Sequence, residues 1–115
     1  MLRLTAIIHG HVSGGGFRTR IAIIANAFDL KGFVQNLDDG TVRVLAEGEE
    51  VDLERFAKAI NVKNRSINVT SIEKQYSSGI GDLEGFGIFL DEVDSELYEV
   101  AEALIESETD SETES

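Results

Sequence analysis

The chain has 115 residues, of which 42% are hydrophobic, and this composition suits one globular domain with a single core. It contains no cysteine, which excludes disulfides, thiolate metal sites and cysteine nucleophiles. No apolar run reaches the ~18 residues of a membrane span. The first ten residues are too short and too interrupted for a signal peptide, so we expect a cytoplasmic protein without a membrane partner.

The net charge of −12 is unevenly distributed along the chain. Residues 91–115 contain 11 of the 22 acidic residues and no lysine or arginine, so they carry −11. Residues 1–90 contain the other 11 acids and all 10 bases, and they carry −1. This balance argues against nucleic acid as a partner, because nucleic-acid binding needs a basic face. A single arginine can still bind a small anion.

The first half of the chain predicts a strand, a glycine-rich loop, a helix and a hairpin. Alternating apolar residues predict a strand over about residues 2–9. Apolar residues at helical spacing predict a helix from about Thr19 to Phe28. The segment 32–48 then predicts two strands around an Asp39-Gly40 turn, which is a strong hairpin signal.

The second half predicts a helix over Val51–Ile60, a strand over 66–76, a turn at 79–82 and a further strand over 83–91. The order is β-α-β-β-α-β, with one strand split or added. Right-handed crossovers then give an antiparallel sheet with both helices on one face. We therefore predict an α+β, ferredoxin-like sandwich over residues 1–91.

The pattern changes after residue 91. Apolar residues at helical spacing predict an amphipathic C-terminal helix over residues 92–106. Residues 107–115 have no apolar side chain, so we predict a disordered acidic tail.

The glycine-rich loop predicts an anion site. Such a turn between a strand and a helix lets backbone N–H groups converge, and the helix N-terminus adds its positive end. Arg18, in the first turn of the predicted helix, can add a bidentate contact to phosphate. The alternative is a flexible loop with a solvent-exposed arginine. Asn36 can lie near this loop in space, because its strand returns beside the first one; the alternative is a strand-end residue that prepares the turn.

Two segments resemble the signatures of the acylphosphatase family. The run from Gly10 to Arg18, GHVSGGGFR, is similar to the family pattern G-x-V-Q-G-V-x-F-R. The run from Gly32 to Val42, GFVQNLDDGTV, is similar to G-W/F-V-x-N-x-x-D-G-x-V. The spacing between the two segments also matches, and the resemblance extends to about Leu90, more weakly after Gly48.

The resemblance implies hydrolysis of carboxyl-phosphate anhydrides to a carboxylate and inorganic phosphate, without a metal or other cofactor. It implies that Arg18 binds the phosphate and that Asn36 positions the attacking water. The loop amides would complete the phosphate cradle, at Ser13, Gly14, Gly15, Gly16 and Phe17. The expected partners are a small acyl phosphate and inorganic phosphate as product inhibitor, and we expect a monomer.

Four positions depart from the family pattern. Ser13 replaces a glutamine and Gly15 replaces a valine, and we expect weaker phosphate binding because three consecutive glycines lose more freedom on ordering. Asp29 replaces a helix-ending glycine, and Gln35 replaces a frequent arginine. These departures leave a second hypothesis open: a catalytically weak module that binds a phosphate or carbamoyl-phosphate group, or a protein partner.

Other polar and aromatic residues have simpler interpretations. His9 and His11 form an H-x-H pair without an obvious third ligand, so we predict no metal site. Asp38 and Asp39 are expected to form the turn, and Tyr76 to pack against the fold. Neither Arg18 nor Asn36 is expected in the core.

Overall fold

The computed structural model describes residues 1–13 and 16–89, which form an α+β sandwich. Two helices cover one face of a five-stranded sheet with the order β4-β1-β3-β2-β5. The strands are β1 (Leu2–His11), β2 (Lys31–Asn36), β3 (Val42–Gly48), β4 (Asn68–Ser78) and β5 (Phe86–Ile88), and the helices are α1 (Phe17–Ala27) and α2 (Glu50–Ala59). The predicted β-α-β-β-α-β order is confirmed, with β5 as an added strand.

The expectation of a wholly antiparallel sheet is wrong at one edge. β5 pairs with β2 in parallel, with Ile88 beside Val34, whereas the other strand pairs are antiparallel. The reason is the connection 79–85. It leaves β4 at one edge of the sheet and enters β5 at the other edge, from the same end of the sheet. β5 therefore runs against β4, and this direction is parallel to β2.

The core lies between the sheet and the two helices. Alternate residues of the neighbouring strands β1 and β3 point toward the helices, and they meet buried side chains of α1 and α2. Fully burying a large apolar side chain contributes about 1.5–3 kcal/mol, so this one-sided core is the main source of stability. Its largest buried side chains are Leu4, Ile8, Phe17, Ile21, Leu30, Leu53, Phe56 and Ile60.

A buried carboxylate holds the crossing connection against the sheet. Glu47, on β3, is 1% exposed, and its Oε2 accepts a hydrogen bond from Arg3 Nε at 2.7 Å. The backbone N–H groups of Ile80 and Gly81 donate to the same carboxylate at 3.1 and 3.0 Å. Burial by itself raises the pKa of the Glu47 carboxyl, but these N–H donors and the Arg3 guanidinium outweigh burial and hold the pKa below its ordinary value.

Several predicted features lie outside the described residues: Gly14 and Gly15 in the loop, the helix over 92–106 and the tail over 107–115. In the part of the chain that the structure describes, neither helix has the length and apolar character needed to cross a bilayer.

Removing the Glu47 charge should destabilise the fold in a pH-dependent way. We expect Glu47→Gln to cost about 3 kcal/mol at pH 7, because it leaves Arg3 without its buried partner. The folded-state pKa lies below the ordinary 4.5, so this stabilisation is present above pH 4.5 and is lost as the pH falls through the folded pKa. Urea unfolding at several pH values should show the gap between parent and variant narrowing in acid. Glu84→Gln, on the same connection but exposed, should change little, and a gap that stayed constant with pH would contradict the role of the Glu47 charge.

Candidate active site

The N-terminus of α1 follows the glycine loop directly and has no capping side chain among the described residues. Gly16 precedes the helix with φ 74°, a left-handed conformation that favours glycine, and no side chain of the described residues caps this end. The Phe17 side chain is buried, which anchors the first helical residue in the core. The first-turn N–H groups are therefore held at a fixed position by the core and are not satisfied by a capping side chain.

Arg18 lies in the first turn of α1, as the sequence predicted, and contacts the end of β5. Its Nη1 donates a hydrogen bond to the Phe89 carbonyl oxygen at 3.3 Å. The Phe89 N–H in turn donates to the Val34 carbonyl oxygen of β2 at 2.8 Å. The Phe89 ring stacks on Phe33, with centroids 4.4 Å apart. The end of β5 thus connects Arg18 to β2. Sequence reasoning missed this contact, because a backbone carbonyl leaves no signal in the sequence.

Asn36 ends β2 and is buried, with 7% of its surface exposed, so the expectation that it lies outside the core is wrong. Its Oδ1 has no hydrogen-bond partner among the described residues. Asn36 is two residues beyond Val34, about 7 Å along the strand and on the same, helix-covered face. Val34 binds the residue that Arg18 contacts, so the Arg18 contact and Asn36 are two residues apart along β2.

The turn after Asn36 is held by its own side chains. Asp39 Oδ1 accepts hydrogen bonds from the Thr41 hydroxyl at 2.6 Å and the Thr41 N–H at 2.9 Å. These bonds lower the pKa of the Asp39 carboxyl, the hydroxyl more than the N–H. Gly40 follows with φ 90°. The predicted turn role of the Asp39-Gly40 pair is confirmed.

The other residues singled out in the sequence have these surroundings. Ser13 is exposed. His9 Nε2 contacts the Glu73 carboxylate, and no cluster of metal ligands occurs within residues 1–13 and 16–89. Tyr76 is 42% exposed and does not belong to the core.

Two cavities are relevant to ligand binding. A small one of about 90 Å³ is lined by Gly16, Phe17, Arg18, Thr19 and Ile88, and it lies at the predicted phosphate site. A larger one of about 520 Å³ lies between α2 and β4, and none of the predicted site residues lines it. The small cavity matches a group the size of phosphate, and the described part of the loop borders it.

The comparisons with known proteins agree with one another on the family. A family model described as acylphosphatase matches residues 4–88. An acylphosphatase of Deinococcus radiodurans is 38% identical over 88 residues, which are 76% of this chain and 100% of that protein. The crystal structure of acylphosphatase from Bacillus subtilis superimposes with a TM-score of 0.74 at 36% identity, covering 77% of this chain and 99% of the other. The HypF protein of T. kodakarensis has a TM-score of 0.68 at 28% identity, covering 78% of this chain but 12% of that one.

The buried Oδ1 of Asn36 has no hydrogen-bond partner among the described residues, so we predict that this side chain lowers the free energy of unfolding. Asn36→Leu replaces a buried unsatisfied acceptor by an apolar group of similar size, and we expect it to stabilise the fold by about 1 kcal/mol. Urea unfolding of parent and variant measures this difference. Asn26→Leu, at an exposed position of α1, should stay within about 0.5 kcal/mol of the parent. A clear loss of stability in Asn36→Leu would show that the amide has a structural partner.

Proposed function

Because the chain belongs to the acylphosphatase family, it hydrolyses acyl phosphates, and we propose that Arg18 binds the phosphate while Asn36 positions the attacking water. The cradle is completed by backbone amides of the glycine loop. The proposed phosphate-binding residues are Ser13, Gly14, Gly15, Gly16, Phe17 and Arg18.

The buried Oδ1 of Asn36 is the observation that supports this division of roles best. Native proteins pair nearly all of their buried polar atoms, so an acceptor without a partner calls for an explanation. An amide oxygen can accept a hydrogen bond from a water molecule and orient its lone pair toward phosphorus. An oxygen that no described group engages is available for this function.

The contact between Arg18 and Phe89 supports the role of the guanidinium. The guanidinium has five N–H donors in a rigid plane, and holding one of them at the Phe89 carbonyl restricts the plane's orientation. A restricted guanidinium loses less entropy when phosphate binds. The N-terminus of α1, which no side chain of residues 1–13 and 16–89 caps, adds backbone N–H donors and the positive end of the helix dipole.

The reaction needs few groups because its leaving group is good. Water forms a bond to phosphorus while the bond between phosphorus and the acyl oxygen breaks, and the electron pair leaves with the carboxylate. The conjugate acid of a carboxylate has a pKa near 4, so it departs without a proton donor at neutral pH. A loose phosphoryl-transfer transition state needs chiefly positioning and charge neutralisation. The phosphoryl oxygens can accept the proton of the water.

The same arrangement leads us to propose further properties. Inorganic phosphate should inhibit as a product, because it offers Arg18 and the amides the same oxygens as the substrate. Chelators should have no effect, since the proposed steps use only side chains and amides of this chain. We also propose that the protein is a cytoplasmic monomer whose acidic tail over 107–115 takes no part in the chemistry.

Kinetic constants of two variants should separate the two roles. Arg18→Ala should raise KM and lower kcat on the order of 100-fold or more, because the guanidinium binds phosphate in both the ground state and the transition state. Arg18→Lys should remain poor, because a point charge cannot make a bidentate contact. Asn36→Ala should lower kcat on the order of 100-fold by misplacing the water, while phosphate inhibits with nearly the parent constant. The measurements are benzoyl phosphate hydrolysis and its inhibition by phosphate, with and without EDTA.

Matched controls come from the same helix. Arg20→Ala and Asn26→Ala remove the same side chains from exposed positions of α1, and both should leave kcat and KM near the parent values. If Asn36→Ala kept most of its turnover, or lost phosphate binding as severely as Arg18→Ala, its proposed role would be wrong. A parent protein that binds phosphate without turnover would instead favour the non-catalytic module.

A further inference from the structure

The side of the sheet away from the helices carries an apolar surface that no described element covers. We call this surface the open face, and it comprises Thr5, Ile7, Phe33, Leu45 and Phe89. Cross-strand pairing places Phe33 opposite Leu45, and Leu45 opposite Thr5. The side chains of Ile7, Phe33 and Leu45 are partly exposed, and Phe89 is 50% exposed. Apolar side chains therefore continue from edge strand β5 across β2 and β3 to β1.

An arginine with spare donor capacity borders this surface. Arg43 pairs with Ile7 across the strands, so its side chain lies on the same side of the sheet. Its Nη2 donates to Gln35 Oε1 at 2.8 Å, and the partly exposed side chain has further N–H donors, because a guanidinium has five. The open face thus combines an apolar surface with a cation that can bind a carboxylate.

We propose that residues 93–105 of this chain pack across the open face as an amphipathic helix. Val93, Leu97, Val100 and Leu104 form one apolar stripe at helical spacing, and Asp94, Glu96, Glu99 and Glu102 lie on the other sides. The stripe matches the apolar surface of the sheet, and the flanking carboxylates match Arg43. The segment is thereby assigned to the chain's own domain.

The dimensions favour this position. A helix of 13 residues is about 20 Å long, and five strands at about 4.8 Å spacing span about 19 Å. The chain also reaches the open face directly, because the last described residue, Phe89, already has its ring stacked there on Phe33. The segment can therefore begin at one edge of the sheet and cover its width.

The lysine-lined cavity between α2 and β4 is the competing position within the molecule. Lys58, Lys63 and Lys74 line it, so it also matches an acidic segment in charge. However, β4 is the edge strand opposite to β5, and both helices lie between them on that side. The four steps along the chain from Phe89 to Val93 reach at most about 14 Å. This is less than the sheet width, so the segment cannot lie wholly in that cavity.

The match to other acylphosphatases ends before residues 93–105, which is consistent with a helix added to the family fold. The family model ends at residue 88, and the Deinococcus protein is covered completely by 88 residues of this chain. Asn36 faces the helix-covered side of the sheet, opposite to the open face. A helix on the open face therefore leaves the proposed site accessible.

Disulfide cross-linking tests the proposal in the full chain, which has no native cysteine. Leu45→Cys with Val100→Cys joins the centre of the sheet to the middle of the segment, so the pair meets whichever way the helix crosses. We expect an intramolecular disulfide to form under mild oxidation, several-fold faster than in Leu45→Cys with Glu102→Cys, in which the second cysteine lies opposite the stripe. Lys58→Cys with Val100→Cys tests the competing cavity, because Lys58 lies on α2 and lines that cavity.

Each outcome is decisive. Preferential cross-linking of Leu45→Cys with Val100→Cys in the monomer supports the proposal. Equal rates for the Val100 and Glu102 pairs, no cross-link, faster reaction with Lys58→Cys, or disulfide-linked dimers would each overturn it. Truncation gives a second readout that does not depend on cysteine: cutting after Glu106 should leave the melting temperature unchanged, whereas cutting after Leu90 should lower it by several degrees. Equal melting temperatures for the two truncations would also overturn the proposal.

Discussion

The position of β2 between β3 and β5 is the constraint on which the proposed site depends. Its antiparallel pairing with β3 places Asn36 opposite Val42, at the start of the hairpin turn. Its parallel pairing with β5 places Phe89 beside Val34, where the Phe89 carbonyl can accept a bond from Arg18. A shift of one residue between β2 and β3 would turn Asn36 to the opposite face of the sheet, and a shift of one residue between β5 and β2 would move the Phe89 carbonyl away from Arg18.

For β5 to lie beside β2, the chain must cross one end of the sheet after it leaves β4. Glu47 makes the crossing possible, because its buried carboxylate accepts N–H groups from the connection at Ile80 and Gly81. Arg3 neutralises the charge from the neighbouring strand. A buried carboxylate far from the proposed chemistry thus holds the start of the connection that leads to β5, and the residue after β5 contacts the arginine. The dependence explains why a short edge strand matters for a site built on other elements.

The site itself departs from the packing rules that the rest of the molecule follows. The core facing the helices is apolar, yet Asn36 introduces at its edge a buried oxygen that has no hydrogen-bond partner among the described residues. The start of α1 likewise lacks a capping side chain among the described residues. Both features cost stability, and both leave hydrogen-bonding capacity for a ligand. Groups of this kind are expected where a protein must bind an anion and a water molecule that the empty fold does not contain.

Local patterns in the sequence determined the elements and the identity of the candidate residues. The alternation in β1, the helical spacing in α1 and the Asp39-Gly40 turn each depend on near neighbours, and the positions of Arg18 and Asn36 follow from short motifs. Only the tertiary structure decided the parallel pairing of β5, the burial of Asn36, the role of Glu47 and the contact between Arg18 and Phe89. These features join residues far apart in the chain through backbone groups and burial, and neither backbone hydrogen bonding nor burial can be read from residue type alone.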